Sequence, residues 1–273
     1  MMARVTSLSS KWLVGILIGC LVSVLTLVQH GPVVGWRLSL FDLWEASTAG
    51  VFIMLTIAQS AATGINQSKQ LQKETESQTP GSFAEWRAPL APIQNLFWLA
   101  TAFGAPHLRP LYMVTSSALL IANTLVLVRI LPWMRMKRSI GLRTSSSRLF
   151  MAALAFLYCS TPLAVTCLFF RRDIVIRYHH TLMLTATASS VMFIMFGLGS
   201  QLITLIRSRS AIGIDCSVHG YSVMRGVSGV AATHALMQTN YWFGLAALSM
   251  TLFAVILESG ILWCAWCYNQ IDN

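Results

Sequence analysis

Charged residues are scarce in this chain, and acidic residues are the scarcest of them. Nine aspartates and glutamates occur among 273 residues, and all charged residues together make up 10% of the sequence. A soluble globular domain typically has about 25% charged residues. Hydrophobic residues instead reach 55%, in several apolar runs long enough to cross a hydrocarbon layer of roughly 30 Å. The composition therefore predicts an integral membrane protein.

Several motifs that carry enzyme or cofactor chemistry are also missing. The sequence has no glycine loop with a phosphate-binding lysine, no H-E-x-x-H and no G-x-S-x-G. No lysine follows Lys137, which excludes a retinal Schiff base on the last helix. The Cys264 to Cys267 spacing lacks a second ligand pair, and His179-His180 lacks a third ligand. We predict no metal site, no cofactor and no disulfide framework.

Apolar runs and helix start signals predict an all-α, polytopic protein. The eight predicted helices, lettered in order, are A 12–29, B 48–66, C 89–106, D 111–131, E 149–170, F 182–206, G 218–237 and H 242–267. Helix A could be read as a signal peptide. It is long for that role and no A-x-A cleavage site follows it, so we favour a retained anchor.

The distribution of basic residues predicts the orientation. With the N-terminus in the cytoplasm, thirteen lysines and arginines fall in inner segments and five in outer segments. This is the positive-inside pattern of multi-pass membrane proteins, with both termini cytoplasmic. The net charge of +10 is thus explained by the lipid bilayer as partner, and nucleic-acid binding is not predicted. The polar stretch from Gln67 to Arg87 is expected to be a solvated connector.

A spacing from glutamine to serine occurs twice, each time near the end of a predicted helix. Gln59 is followed nine residues later by Ser68, and Gln201 is followed nine residues later by Ser210. A Phe-Ile-Met tripeptide precedes both copies, at 52–54 and 193–195. The recurrence indicates an internal repeat, and repeated membrane units commonly hold their working site where the copies meet.

The second copy resembles the PQ-loop signature of the family that contains SWEET sugar transporters, cystinosin-type exporters and KDEL receptors. In that signature a proline-glutamine pair is followed by serine nine residues after the glutamine and by glycine three residues further on. Gln201, Ser210 and Gly213 match it. The first copy matches at Gln59 and Ser68 only. Ala58 and Ser200 replace the prolines, which removes the proline hinge that the resemblance would imply.

The resemblance implies a three-one-three helix arrangement with one extra N-terminal helix. It divides the chain into an anchor and outer loop at 1–47, a first triple-helix repeat at 48–131, a basic loop and linker helix at 132–181, and a second repeat at 182–273. An odd number of spans between the repeats makes them parallel. Gly197 and Gly199 are expected to loosen helix F in place of the proline. Helix B has no such glycine near Ala58, so we expect motion to be asymmetric.

Polar residues inside the predicted spans are the candidate site. Asn123 in helix D and Glu258 in helix H take related positions in the two repeats, and the resemblance implies paired asparagines there for substrate binding. A carboxylate in a span normally faces a cavity or a partner. Glu258 is therefore a candidate for substrate binding and proton coupling, with His234 sharing the proton and Trp98 stacking on the solute. The alternative is a purely structural pair of Glu258 with Arg225 or His234.

Three function classes remain open, and a carrier for a small polar solute is the one we favour. An intramembrane enzyme acting on an isoprenoid or lipid would need a second carboxylate near Glu258, from Asp42 or Asp215. A receptor or complex subunit would be favoured by a central cavity filled with side chains. A homo-oligomer is compatible with each class.

Overall fold

The computed structural model describes the backbone of residues 40–101, 109–142, 144–145, 147–170, 174, 177–239 and 241–271. Side chains are described within 50–101, 113–142, 144–145, 148–164, 174, 177–229 and 244–268. Predicted helix A and the N-terminal part up to residue 39 lie outside this range. In the described part the chain is all-helical, as the sequence predicts.

Nine α-helices and two π-helical segments follow one another in the described part of the chain. They are α1 Leu40–Ala61, π1 Ala62–Gln67, α2 Ser68–Ser77, α3 Arg87–Thr101, α4 Arg109–Ser139, α5 Ser147–Phe170, α6 His179–Met192, π2 Phe193–Leu198, α7 Gly199–Ser208, α8 Cys216–Thr239 and α9 Tyr241–Ile271. Each of the predicted helices B to H corresponds to one of these helices or to a continuous series of them. Residues 78–86, between α2 and α3, are called the first connector below, and residues 209–215, between α7 and α8, the second connector.

Among the residues that the structure describes, three helical stretches are long and apolar enough to cross a membrane. They run from Met113 to Ser139, from His179 to Ser208 and from Gly244 to Tyr268. Many large apolar side chains on the bundle are exposed, among them Tyr158 at 82%, Leu184 at 70% and Ile256 at 64%. Soluble monomers rarely expose apolar surface on this scale. These features identify a membrane protein, because lipid chains can cover such a surface.

The stretch from Gln67 to Arg87 is not the solvated connector that its composition suggests. Residues Ser68–Ser77 continue the preceding helix as α2, and the side chains of Leu71, Glu74 and Phe83 are buried. Leu71 and Phe83 belong to a core cluster with Trp133 of α4. The polar composition misled the prediction because the stretch has few apolar residues, and Leu71 of α2 and Phe83 of the first connector are buried by tertiary contacts with the core cluster.

Both π-helical segments lie in the same place relative to the helix that contains them. Segment π1 interrupts the helix formed by α1 and α2, and π2 interrupts the helix formed by α6 and α7. Each of these helices ends on a residue with left-handed backbone, Gln78 at φ 55° and Arg209 at φ 51°. Segment π1 contains Gly64 and π2 contains Gly197, so each helix has a glycine within its irregular stretch, and the asymmetric motion stays a prediction. Such insertions occur frequently at functional sites.

The helices on either side of α5 form two sets, α1 to α4 and α6 to α9, and the two sets contact each other. Helices α3 and α4 pack together, as do α8 and α9. Across the sets, α1 packs on α8 and α3 packs on α6. One apolar core cluster lies among α2, α3, α4 and α5, and another lies among π2, α7, α9 and the second connector. The space between the sets is where the candidate site lies.

Candidate functional site

A cavity of about 190 Å³ lies between the two sets of helices. Its wall includes Trp98 of α3, Asn123 of α4 and Glu258 of α9, so the structure brings together the three residues that the sequence predicts for substrate binding. Residues of α1, π1, α6, π2 and α8 complete the wall. The cavity is therefore lined by helices that come from both halves of the chain.

Trp98 is held in place by a hydrogen bond that crosses the cavity wall. Its indole Nε1 donates to the Ser190 hydroxyl at 2.8 Å, and Gln94 Nε2 donates to the same oxygen at 3.0 Å. Ser190 in turn donates to the carbonyl of Ala186 at 2.9 Å. Asn123 is fixed differently, because its Nδ2 donates to the Leu119 carbonyl one turn earlier, at 2.8 Å. These bonds fix two of the predicted polar residues on helices that face each other.

Glu258 ends a chain of three buried polar side chains. Its Oε2 is bonded to His219 Nδ1, and His219 Nε2 is bonded to Arg87 Nη1 at 2.9 Å. The exposed fractions are 2% for Glu258, 1% for His219 and 8% for Arg87. A guanidinium can only donate, so His219 Nε2 must accept and the ring proton lies on Nδ1, directed at the carboxylate. A neutral imidazole thus links a buried cation to a buried anion.

His219 was missed at the level of sequence, and helix geometry explains why it is the partner of Glu258. Helices α8 and α9 are separated by residue 240 alone and pack against each other as a helical hairpin. Glu258 lies 18 residues beyond that point, His219 21 residues before it and His234 only 6 before it. At 1.5 Å per residue, His234 is displaced along the hairpin from Glu258 by roughly 18 Å. His219 differs from the level of Glu258 by only three residues, or roughly 5 Å.

The sequence suggests Arg225 and His234 as partners of Glu258, and the structure describes the side chain of Arg225. Within the described side chains, Arg225 forms no ion pair with Glu258, although both line the cavity. Arg225 instead lies over the ring of Phe52, with its Cζ 5.8 Å from the ring centroid. The side chain of His234 lies outside the described residues. In the described residues Glu258 is thus paired with His219 and not with Arg225, and a pair of Glu258 with His234 stays a prediction.

Two glutamines bind the connectors reciprocally at one end of the cavity. Gln201 Nε2 donates to the Ser82 carbonyl at 2.8 Å, and its Oε1 accepts from the Ala84 N–H at 2.8 Å. Gln67 Nε2 donates to the Gly213 carbonyl at 3.0 Å, and its Oε1 lies 3.5 Å from the Asp215 nitrogen. Each glutamine therefore pairs the backbone of the connector that belongs to the other half. We call these two contacts the glutamine clamps.

The connectors also bind each other directly between the clamps. Ser82 N–H donates to the Ile212 carbonyl at 2.7 Å, and the Ser82 hydroxyl donates to the Ser210 carbonyl at 2.7 Å. Glu74 accepts hydrogen bonds from Gly81 N–H at 2.8 Å and Trp133 Nε1 at 2.7 Å, which ties the first connector to α2 and α4. These contacts hold the two connectors together next to Arg87, the first residue of α3.

The residues of the glutamine-serine repeat take different positions in the two copies. Gln201, Ser210 and Gly213 all lie at the contact between the connectors. Gln59 instead lies on the cavity wall, and Ser68 is buried at the start of α2. The residue of the first half that makes the same contact as Gln201 is Gln67.

The other candidate chemistry has little support in the described residues. No group of three or more histidine, cysteine or acidic side chains there is arranged to hold a metal ion. Asp215 Oδ1 accepts from the backbone and hydroxyl of Ser217 at the start of α8, and Asp215 does not line the cavity. The side chain of Asp42 lies outside the described residues. Among the described residues that line the cavity, Glu258 is the one carboxylate.

Comparison of the chain with protein-family models, with curated proteins and with solved structures finds no match.

Proposed function

We propose that this protein is a membrane carrier for a small polar solute, and that the cavity between the two helix sets is its binding site. The observation that carries the proposal is the convergence of Trp98, Asn123 and Glu258 on that one cavity. Membrane-embedded ionisable residues that face a cavity commonly belong to a substrate or proton pathway. The cavity also favours a carrier over a scaffold subunit, whose centre would be filled by side chains.

The proposal includes a parallel repeat of two triple-helix units around a linker helix. Corresponding features recur about 131 positions apart: π1 and π2 begin at 62 and 193, and the left-handed helix ends are at 78 and 209. The clamped carbonyls belong to residues 82 and 213, and the long helices α4 and α9 begin at 109 and 241. This spacing supports a three-one-three arrangement, in which α5 is the linker, and the resemblance to SWEET-like proteins.

In this proposal the glutamine clamps lie at the cytoplasmic side, where the positive-inside pattern places the connectors. The carrier is multi-pass, and both termini are cytoplasmic. Opening toward the cytoplasm requires the two connectors to separate, which breaks both clamps together. Segment π1 ends at Gln67, and π2 ends three residues before Gln201. A change of helix geometry in either segment would therefore move the connectors. The two halves then rock against each other around a fixed solute site.

The chain Arg87, His219 and Glu258 supplies the proton chemistry of the proposal. Glu258 is paired in the closed cavity, and separation of α3 from α8 would remove Arg87 from His219. The imidazole Nε2 could then take a proton, or the carboxylate could be neutralised, without leaving an unpaired buried charge. Coupling of solute movement to a proton thus requires both Glu258 and His219.

The first test is uptake by purified protein in proteoliposomes at several internal and external pH values, with a panel of small polar solutes. We expect that Glu258→Gln abolishes the pH dependence of uptake, because the amide keeps the shape of the side chain but cannot exchange a proton. His219→Gln should have the same effect.

The matched control is Glu76→Gln, since Glu76 is exposed on α2 and lies away from the cavity. Size-exclusion chromatography establishes that each variant remains folded. Uptake in Glu258→Gln that keeps the pH response of the original protein would exclude the proton role. The absence of uptake of every solute by the original protein would exclude the carrier.

A further inference from the structure

Two polar atoms on the cavity wall have no hydrogen-bond partner within the described part of the chain. They are Gln59 Oε1 and Arg225 Nε, and both residues line the cavity. The Gln59 side chain is buried, with 7% of its surface exposed. Nearly all buried polar groups in proteins are paired with protein, water or ligand. The wall therefore presents one acceptor and one donor for which the described protein provides no match.

The charges of the described cavity residues are also unbalanced. Arg87 and Arg225 line the cavity together with one carboxylate, Glu258. Arg87 and Glu258 are already joined through His219, and Arg225, although close enough to feel the charge of Glu258, forms no ion pair with it among the described side chains. Two positive charges on the described wall are thus balanced by one negative charge. Arginine stays protonated in proteins. The missing group is thus a single negative charge that accepts hydrogen bonds from a guanidinium.

The size and remaining wall of the cavity limit the ligand further. Sites for drug-sized ligands are about 300–1,000 Å³, whereas this cavity is about 190 Å³. Trp98, Phe52 and Leu119 provide apolar surface beside the polar groups. A solute with a few heavy atoms, one charged end and a short apolar part fits this wall.

We propose that the cavity binds a small 2-hydroxycarboxylate. Its carboxylate accepts from Arg225, and its hydroxyl donates to Gln59 Oε1. A hydroxyl is favoured over an ammonium as the donor, because an ammonium would leave the positive charge of the cavity uncompensated. This inference rests on the proposed function, for which it names the substrate class.

The test measures binding of radiolabelled lactate to the purified protein in detergent, with propionate, alanine and inorganic phosphate as competitors. We expect lactate to bind about tenfold more tightly than propionate, which lacks the hydroxyl and leaves Gln59 Oε1 unpaired. Alanine and phosphate should compete more weakly than lactate. Gln59→Met should reduce lactate affinity to that of propionate and leave propionate affinity unchanged. Arg225→Gln should weaken both carboxylates.

Arg225→Lys is included because it retains the charge and so tests the site if Arg225→Gln does not fold. It should keep part of the carboxylate binding. Arg207→Gln is the control, since Arg207 is an exposed arginine at the end of α7, and should not change binding. Equal affinity for lactate and propionate, or an equal effect of Gln59→Met on both, overturns the role of Gln59. Tighter binding of alanine or phosphate than of lactate overturns the substrate class.

The same preparation separates this inference from the carrier proposal. Uptake of a neutral solute into proteoliposomes, without lactate binding, overturns the hydroxycarboxylate and leaves the carrier supported. Lactate binding with the predicted selectivity, but without uptake of any solute, supports the site and overturns the carrier.

Discussion

Gly213 shows how one residue of the connector contact is fixed by both conformation and space. Its φ is 91°, in the left-handed region that side chains disfavour. A Cβ on Gly213 would lie 2.5 Å from Glu74 Oε1 and 3.0 Å from the Gly81 Cα. The glycine that matched the sequence signature is therefore required by the close approach of the two connectors. It lets the Gly213 carbonyl reach Gln67.

We predict that Gly213→Ala destabilises the protein more than Gly141→Ala does. Gly141 also has a left-handed backbone, at φ 81°, but nothing lies within 4 Å of a Cβ placed there. The control should cost about 1–2 kcal/mol from backbone strain alone. Gly213→Ala should cost roughly 2–5 kcal/mol, because crowding of Glu74 and Gly81 adds to the strain.

The measurement is the free energy of unfolding of each variant in detergent. Equal losses in the two variants would mean that the connectors separate readily enough to admit a methyl group, in disagreement with the close contact.

At the scale of elements, the helix that ends in the first connector and the helix that ends in the second are built alike. Each contains a π segment, and each carries a glutamine that binds the opposite connector. Both glutamines pair one carbonyl and one N–H of the backbone. Because amide groups in a buried connector need partners, these glutamines are part of what holds the connectors in place.

We predict that Gln201→Leu loosens the first connector. The substitution leaves the Ser82 carbonyl and the Ala84 N–H without their partner, at about 1–3 kcal/mol for each group. Peptides that span residues 79–86 should therefore exchange backbone hydrogen for deuterium faster, as measured by mass spectrometry.

The control for this experiment is Gln72→Leu, since Gln72 is exposed on α2 and bonds only its neighbour Glu76 among the described residues. Exchange at 79–86 that is as slow in Gln201→Leu as in the control would show that the clamp does not hold the connector.

The sequence predicted these elements well where apolar runs were long, and less well where polar residues were mixed in. Helices D to H were placed within a few residues, apart from the end of α4, which extends eight residues past the predicted end of D to Ser139. The extension contains Pro132 and basic residues, which lower the hydropathy of a stretch that nevertheless buries Trp133 and Met134. Helix α2 was missed for a similar reason, because Leu71 is its one apolar residue and is buried by tertiary contacts.

At the scale of the whole molecule, the site was predictable in part. Asn123, Trp98 and Glu258 stood out as polar or aromatic groups in apolar spans, and the structure places them on one cavity. His219 did not stand out, because its relation to Glu258 depends on the register of a hairpin rather than on a motif. The contact of Gln67 with the second connector was also not predicted, because its partner lies 146 residues away and the motif spacing indicated Gln59 instead.

We predict that the ends of the two π-containing helices lie on the same side of the membrane. In a variant without native cysteines, Gln78→Cys and Arg209→Cys should react with a membrane-impermeant maleimide from one side. Tyr178 lies between α5 and α6 and is exposed. Tyr178→Cys should react from the other side, because the stretch from His179 to Ser208 is long and apolar enough to cross the membrane once.

Intact cells and inverted vesicles provide the two sides for this measurement. Labelling of all three cysteines from one side would contradict the proposed topology. Labelling of Gln78→Cys and Arg209→Cys from opposite sides would contradict the parallel arrangement of the two halves.

The exchange of backbone partners between the halves has a consequence for biosynthesis. Ala84 is synthesised 117 residues before the glutamine that pairs with it, an interval of roughly 6–25 s at typical translation rates. During that time the nascent first half has a connector with unsatisfied amides next to the ribosome. The hydrogen bonds of this connector can form only after the second half has been synthesised. The connectors are therefore expected to be the last part of the chain to reach the native structure.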